Sequence, residues 1–408
     1  MIPKFMEKIN FALLLFSFSV CGQCMDSPSY PITDLTDIQG VDIYRDRDTL
    51  HAVLVGKLVN TNQGRVYYTK SIDNGLSWGK LTAVILQGNG KIVSRGGNEP
   101  QVSAAGRQIV VAFGQSVELP NVGPMTVAYS PDGGASWQLG GNPAVRDISR
   151  NQSYMDMVAD KTGMFHLVWL DDREENGNTQ GLRYARSSDG GRHWRGDVTL
   201  DPAVCTCCWN RLVALPDRSV AALYRDDDPH DMRLVRVTAD GKSWRNLGAV
   251  GAFGWRFNGC PHCGGGIASS SGLISPLHSV VWSGKENSAG LFYLRSDDLG
   301  EHWSAPLRLA DGQSRESDIA VLSDGRIGVV YVGVSGDGEG VQFISSADKG
   351  NSWSQPHRLS APRLVTDHPR IISTPAGFSV FWTEKHPSAE KVLAMYFVTQ
   401  LKGDKSKT

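Results

Sequence analysis

Six copies of one short motif recur along this chain and constrain its fold more than any other feature. The motif is Ser-x-Asp-x-Gly-x-x-Trp, and the copy at 238 has Thr in place of Ser and is one residue shorter. The copies begin at residues 71, 130, 187, 238, 296 and 346. An element that returns every ~50–60 residues is typical of a protein assembled from repeated units. The sequence therefore predicts one repeat architecture rather than two or three unrelated domains.

The residue types of the motif indicate a tight turn between strands. Ser and Asp side chains bond backbone N–H groups one or two residues further on. The Gly supplies the positive φ that such a turn requires, and the Trp can then cover the edge of the sheet. We therefore interpret the motif aspartates as structural residues and not as catalytic acids. They are Asp73, Asp132, Asp189, Asp240, Asp298 and Asp348.

The motif is the Asp box, and on these copies the chain resembles the sialidase-like β-propellers built from BNR repeats. The resemblance covers nearly all of residues 30–400 and implies a single all-β propeller domain of four-stranded blades. Each box then lies between the third and fourth strands of a blade. Three strands without a box follow the last copy, which favours seven blades over the six typical of sialidases. We expect Ile32–Ile38 to supply the missing outer strand of the seventh blade and close the ring.

The first 24 residues have the pattern of an export signal. Lys4 and Lys8 precede the apolar run Phe11–Val20, which is too short to span a bilayer. Cys24 is a candidate for lipidation, which the sequence leaves open. We expect an exported protein, periplasmic or extracellular, that contacts a membrane only through a lipid on Cys24, if at all.

Composition limits the class of partner and supports an all-β chain. The net charge of −1 gives no electrostatic basis for binding nucleic acid or an anionic membrane surface. The 45 glycines and 11 tryptophans fit a turn-rich β protein. The polar segment 401–408 is expected to be a disordered tail.

A meander of four strands places two kinds of turn on opposite faces of a propeller. The Asp boxes lie on the face that we call the bottom. The turns after each second strand and the links between blades lie on the other face, the top, and these segments carry many charged residues. Binding sites form where loops of several blades converge, so we predict a top-face funnel for a glycan, a small anionic ligand or an envelope protein. Its predicted binding residues are Glu99, Asp171, Asp226, Asp231, Glu316, Asp318 and His368.

The resemblance also implies an alternative, a divergent sialidase-like glycoside hydrolase. Sialidases hold the sugar carboxylate with three Arg and use a Tyr nucleophile, a Glu that activates it and an Asp acid/base. The top-face candidates for catalysis are Arg173, Arg225, Arg315, Arg370, Tyr154 and Asp156. The chain lacks the Arg-Ile-Pro motif that sialidases carry near the first blade, so enzymatic activity stays an open question at this point.

A cysteine cluster is the second chemical feature of the top face. It comprises Cys205, Cys207 and Cys208 at the entry to blade 4, and Cys260, His262 and Cys263 at the entry to blade 5. One interpretation is a disulfide between the two blades, with Cys260 as the partner of the first group. A Cu(I) or Zn(II) site with His262 as a nitrogen ligand is the second, and a redox-active thiol is the third. Five cysteines cannot all pair with one another.

Overall fold

The computed structural model describes residues 27–59, 61, 64–85, 90–116, 123–147, 150–173, 179–270, 275–385 and 391–398. Across these ranges the regular secondary structure is entirely β-strand. None of the described residues forms a helix that could span a membrane. The predicted export signal 1–24, with Cys24, and the predicted tail 401–408 lie outside the described residues.

The strands form seven antiparallel sheets that follow one another along the chain, and each sheet is one blade of a β-propeller. Blade 1 contains β1 (Leu35–Asp46), β2 (Thr49–Leu58), β3 (Arg65–Ser71) and β4 (Thr82–Ala83). Blade 2 contains β5 (Lys91–Val93), β6 (Gln101–Ala105), β7 (Gln108–Ser116), β8 (Met125–Ser130) and β9 (Gln138–Leu139). Blade 3 contains β10 (Ser153–Ala159), β11 (Phe165–Asp171), β12 (Gln180–Ser187) and β13 (Arg195–Val204). Blade 4 contains β14 (Arg211–Ala214), β15 (Val220–Arg225), β16 (Met232–Val237) and β17 (Trp244–Ala249).

The remaining three blades follow the same order. Blade 5 contains β18 (Gly265–Ser269), β19 (Leu277–Ser283), β20 (Gly290–Ser296) and β21 (Leu307–Asp311). Blade 6 contains β22 (Arg315–Val321), β23 (Ile327–Ser335), β24 (Gly338–Ser346) and β25 (His357–Arg358). Blade 7 contains β26 (Val365–Thr374), β27 (Gly377–Lys385) and β28 (Lys391–Val398). The prediction of an all-β propeller with seven blades is confirmed.

The hydrophobic core of the protein is divided among the contacts between blades. Seven apolar clusters of described residues each join two neighbouring blades. In blade 1, for example, Leu54 faces blade 7 while Val53 and Val55 face blade 2. Successive residues of a strand point to opposite faces of the sheet, and both faces of a blade are covered. The middle strands are therefore apolar almost throughout, as in β11 and β15.

The ring closes differently from the sequence-based expectation. The predicted outer strand, Ile32–Ile38, was wrong in position, because Leu35 and the residues after it extend the innermost strand of blade 1. Ser29 instead bridges to Met395 on β28, and the two exchange backbone hydrogen bonds of 2.8 and 2.9 Å. The pairing of β1 with β2 shifts register between Thr36 and Gly40, and β1 begins at Leu35, within the segment expected to form the outer strand.

Each Asp box is a hydrogen-bonded turn, as its sequence predicted. In the box of blade 5, the Ser296 hydroxyl donates to Asp298 Oδ1 at 2.8 Å and accepts the N–H of Gly300 at 2.8 Å. The N–H of His302 donates to Asp298 Oδ1 at 2.9 Å, and chiefly this bond lowers the pKa of Asp298 to about 2. The bond from the box Gly to the box Ser recurs in blades 1, 2, 3 and 6. The aspartates are therefore structural.

The glycine of the box also makes room for the preceding blade. Gly350, in blade 6, has a φ of 93°, a conformation that L residues with a side chain adopt only at a cost. A Cβ at this position would overlap the hydroxyl of Tyr293 in blade 5. The indole of Trp353 packs edge-on against the same Tyr293 ring, with 5.0 Å between centroids. One turn thus fixes its own hairpin and packs its blade against the preceding blade.

We predict that Gly350→Ala destabilises the protein by roughly 2–4 kcal/mol, because it combines left-handed strain with overpacking. Gly336→Ala is the matched control, since nothing lies within 4 Å of a Cβ built there, and we expect it to change stability little. Chemical denaturation of both variants measures the difference. Equal stability of the two variants would mean that the box glycine is not needed for contact between blades.

Candidate functional site

Three buried carboxylates tie neighbouring blades together around the central channel. Asp42, Asp156 and Asp318 lie on the innermost strands of blades 1, 3 and 6. Each accepts a hydrogen bond from a backbone N–H of the next blade, and the donors are Val102, Leu212 and Ile371. Asp156 and Asp318 were predicted as top-face site residues, and the structure gives both of them this bridging position.

Two arginines share the channel with these carboxylates. Arg370 Nη2 lies 2.8 Å from Asp42 Oδ1, and its Nε lies 3.7 Å from Asp318 Oδ2. Arg211 Nη1 lies 3.8 Å from Asp156 Oδ1. The guanidinium of Arg370 is therefore engaged by protein carboxylates rather than presented to solvent. Arg211 was missed as a site residue, although it follows the cysteine cluster in one of the charged top-face segments.

Trp209 is buried among residues of several blades. Its side chain is only 3% exposed, and its ring meets that of His368 edge-on with 4.6 Å between centroids. Gly97 and Gly264 approach the indole from two other blades, and a Cβ at either position would overlap it. The indole therefore packs against residues of blades 2, 5 and 7.

Among the predicted site residues, His368, Glu99 and Tyr154 are buried, and Glu316 is partly buried. The N–H of His368 donates to Glu316 Oε2 at 3.0 Å, and His368 Nε2 lies 3.9 Å from Glu99 Oε2. The Tyr154 hydroxyl accepts a 2.9 Å hydrogen bond from Arg95 Nη2. Burial raises the pKa of Tyr154 to about 12 and that of Glu99 to about 8. The structure brings His368 together with Glu316 and with Glu99, and it brings Tyr154 together with Arg95.

Burial also raises the pKa values of the channel carboxylates. The pKa of Asp156 rises to about 7 and that of Asp42 to about 6. Asp318 and Glu316 shift in the same direction for the same reason. Desolvation penalises the charged form of a carboxyl group, and in each case it outweighs the arginines nearby. These buried carboxyl groups therefore hold their protons to higher pH than exposed carboxyl groups do.

The four predicted ligand arginines lie in separate places and do not form a carboxylate-binding trio. Arg225 is 1% exposed, and its guanidinium donates to the backbone oxygens of Cys263 at 2.7 Å, Trp282 at 3.0 Å and His230. Arg173 is paired with Asp171 and with Asp197. With Arg370 in the channel, Arg315 alone of the four is exposed.

The other predicted acidic residues of the top face also have structural partners. Asp171 is buried and accepts hydrogen bonds from Arg183 Nε at 2.8 Å and from the Trp169 indole at 2.7 Å. Asp226 pairs with Arg233 at 2.6 Å. Asp231 accepts the backbone N–H groups of Gly254 and Trp255 at 2.7 and 3.2 Å. These carboxylates order the loops between blades 3, 4 and 5.

The cysteine cluster contains one disulfide and three thiols. Cys207 is bonded to Cys260, so the predicted partner of the first cysteine group is confirmed. Cys205, Cys208 and Cys263 are free and buried, whereas His262 is exposed. The disulfide joins the segment that enters blade 4 to the segment that enters blade 5, and it therefore clamps two neighbouring blades.

An open cleft of about 450 Å³ lies on the top face between blades 5 and 6. Its walls are mostly aromatic, glycine and proline residues, with one cation on the rim. The lining residues are Trp255, Phe257, Cys260, Pro261, Trp282, Gly284, Gly312, Gln313 and Arg315. They come from the link into blade 5, the turn after β19 and the link into blade 6, which are all top-face segments.

Contacts with neighbouring side chains fix the aromatic wall of this cleft. The Trp255 ring stacks on Phe257 with an interplanar angle of 20° and meets Trp282 edge-on with 5.1 Å between centroids. The buried guanidinium of Arg225 lies 5.3 Å from the centroid of Trp255. Phe257 remains 45% exposed. The cleft therefore offers a rigid apolar platform beside the exposed guanidinium of Arg315.

Of the predicted site residues, only Arg315 and Cys260 line this cleft. The aromatic residues were missed because the prediction of the top-face site was based on charged side chains. A signal existed in the sequence, since Trp255 and Phe257 lie two residues apart in a loop segment, where large apolar side chains have no strand face to cover.

Comparison with known proteins agrees with this architecture. The model of the BNR repeat-like domain matches residues 39–248, just over half of the chain. Among curated proteins, none matches the sequence. An ulvan lyase described as a new family of polysaccharide lyase is 12% identical, with 91% of this chain and 96% of that chain covered and a TM-score of 0.60. A structure of an ulvan lyase of the same new family, bound to -[GlcA(1-4)Rha3S]-, matches this chain with a TM-score of 0.57.

Two further solved structures show the same fold. A protein of unknown function from Dyadobacter fermentans is 13% identical, with 90% of this chain and 96% of that chain covered and a TM-score of 0.51. The NanB sialidase from Streptococcus pneumoniae is 12% identical, with 90% of this chain and 69% of that chain covered and a TM-score of 0.50.

We predict that the stability of the protein falls as pH rises from about 7 to about 8. The native pKa of Glu99 is about 8, above the value of about 4.3 expected in an unfolded chain. The folded state therefore holds a proton that the unfolded state has released, so the free energy of unfolding decreases with pH in this interval, by roughly 1 kcal/mol.

Thermal unfolding of Glu99→Gln across the same interval tests the assignment. The variant should lose most of the decrease in melting temperature, because it has no proton to release. Glu339→Gln, which alters an exposed glutamate, should keep the wild-type dependence. An unchanged decrease in Glu99→Gln would show that another group is responsible.

Proposed function

The chain belongs to the BNR repeat-like domain family, and from this premise we propose that it is an exported propeller that binds an anionic glycan. The binding site in this proposal is the aromatic cleft between blades 5 and 6. The carrying observation is the combination of the Trp255–Phe257–Trp282 wall with the exposed Arg315 on one rim.

The cleft matches the two surfaces of an acidic sugar. The C–H face of a pyranose ring is apolar and packs on aromatic side chains, which supply a large contact area with little loss of conformational entropy. A uronate carboxylate or a sulfate is bound well by the planar fork of an Arg guanidinium. Arg315 has no hydrogen-bond or ion-pair partner recorded among the described residues, so its donors are available to a ligand.

The cleft supports binding rather than glycoside hydrolysis. Hydrolysis of a glycosidic bond needs two carboxyl groups on either side of the bond, or a Tyr nucleophile in their place. No Asp, Glu or Tyr is among the residues that line the cleft. Asp156 and Tyr154, which were predicted for catalysis, are buried and hydrogen-bonded to other residues of the protein. The sialidase-type alternative therefore has less support than a binding function.

The relatives by fold support a glycan ligand at a coarse level. A bound -[GlcA(1-4)Rha3S]- in the ulvan lyase carries both a carboxylate and a sulfate, which are the groups that Arg315 would recognise. The identity to that lyase is low, so the proposal depends on the cleft itself. The envelope-protein partner considered from the sequence stays a prediction.

Export is part of the proposal and has its own support. The predicted signal in residues 1–24 would direct the chain out of the cytoplasm. The disulfide between Cys207 and Cys260 is of the kind that persists in an oxidising compartment. Whether Cys24 carries a lipid stays a prediction.

We predict that Phe257→Ala weakens binding of a glucuronate-containing oligosaccharide about tenfold, since stacked area is lost. Arg315→Gln should weaken it roughly tenfold to a hundredfold, since a hydrogen bond to a charged group is lost. Isothermal titration calorimetry with acidic oligosaccharides and with neutral ones of the same length measures both effects. Only the acidic series should respond to Arg315→Gln.

Two substitutions on the bottom face serve as matched controls. Arg107→Gln removes an exposed Arg, and Leu76→Ala removes an exposed apolar side chain, so both should leave the affinity unchanged. Release of a shortened sugar product during the titration would contradict a function limited to binding. Equal affinity for acidic and neutral sugars would contradict the role of Arg315.

A further inference from the structure

Three cysteine sulfurs and an unpaired buried cation lie together at the junction of blades 4 and 5. We propose that Cys205, Cys207 and Cys208 form a binding site for a thiophilic metal ion, Cu(I), when Cys207 is released from its disulfide. This site is separate from the glycan cleft, although Cys260, the disulfide partner of Cys207, lies on the wall of that cleft.

The spacing of the three sulfurs suits a metal centre. Cys205 Sγ lies 3.2 Å from Cys208 Sγ and 3.7 Å from Cys207 Sγ, and all three sulfurs lie within 4.8 Å of one another. Metal–thiolate bonds of about 2.3 Å place the sulfurs of one centre about 4 Å apart. Cys205 Sγ and Cys208 Sγ would therefore need to move apart by about 0.8 Å, and Cys205 Sγ and Cys207 Sγ by about 0.3 Å, to share a metal ion.

Arg225 supplies an independent indication that an anion belongs here. Its side chain is 1% exposed, and its recorded hydrogen bonds all go to backbone oxygens. No carboxylate pairs with it among the described residues, and an unpaired buried charge is costly to a fold. The backbone N–H of Cys205 donates to the carbonyl oxygen of Arg225 at 3.0 Å, so this residue lies directly beside the cluster. A metal–thiolate centre carries net negative charge and would offset this cation.

The ligand set favours Cu(I) over Zn(II). Soft thiolate ligands select Cu(I) and Zn(II) over harder ions, but a structural zinc site needs four ligands. His262, the histidine of this cluster, groups with Cys207 and Cys260 and is exposed, whereas Cys205, Cys207 and Cys208 are buried. Three sulfurs screened from water match the lower coordination number that Cu(I) accepts.

The disulfide makes this site dependent on redox state. A dithiol can reach the exposed Cys260 and attack its sulfur, which breaks the bond to Cys207. Cys207 leaves as a thiolate and takes a proton, and the second thiol of the dithiol then displaces Cys260. Two electrons and two protons pass to the protein, and the dithiol becomes a disulfide. Binding of Cu(I) then releases the three thiol protons to solvent.

Anaerobic titration of the full chain with Cu(I), in competition with the chromophoric chelator bicinchoninate, tests the proposal. Protein reduced with a phosphine should withdraw about one copper ion per chain from the chelator, and the oxidised protein should withdraw none. Cys205→Ser and Cys208→Ser should each abolish this binding. Cys263→Ser is the matched control, because it removes a buried free thiol that is not in the three-sulfur group, and it should bind like wild type.

Two further readouts keep a misfolded variant from deciding the result. Thermal unfolding of each metal-free variant must show a cooperative transition, and X-ray absorption of the copper-loaded wild type should show three sulfur neighbours at about 2.3 Å. The proposal would be overturned by copper binding that survives Cys205→Ser. It would also be overturned by equal binding in the oxidised chain, or by Zn(II) binding that depends on His262 and not on Cys205.

Discussion

Contact between neighbouring blades is the constraint on which this propeller depends. No blade has a core of its own, because each sheet buries its apolar faces against the sheets on both sides. The Asp box is where that contact is made, since its Gly admits a side chain of the preceding blade and its Trp packs beside it. Ring closure at Ser29 and Met395 is therefore needed for the stability of all seven blades and not only of the last.

Much of this fold could be predicted because the residues of each repeated motif specify a local turn. Six boxes with the same Ser, Asp, Gly and Trp determine six hairpins and the strands on each side of them. The closing segment could not be placed, because its pairing with β28 joins residues far apart in sequence, and the apolar pattern of one segment does not reveal such a partner. Local turns were thus readable from the sequence, and pairing between distant segments was less so.

The candidate cleft lies on the top face, where the sequence predicted a binding site. A charged side chain in a loop, however, does not reveal its partner. Arg225 is engaged by three backbone oxygens and Arg370 by channel carboxylates, and both partnerships join residues far apart in sequence. What remained for a ligand was the exposed Arg315 beside an aromatic wall. Exposed aromatic residues in a loop therefore indicate the proposed cleft better than charged residues do.

The proposed site is an open cleft on the top face, whereas the acidic residues of the channel are buried. We propose that a glycan binds in this cleft, between blades 5 and 6. A crystal structure of the protein with a glucuronate-containing oligosaccharide tests this most directly. We expect a sugar ring stacked on Phe257, with its carboxylate within hydrogen-bond distance of Arg315. A sugar bound in the channel or on the bottom face would contradict it.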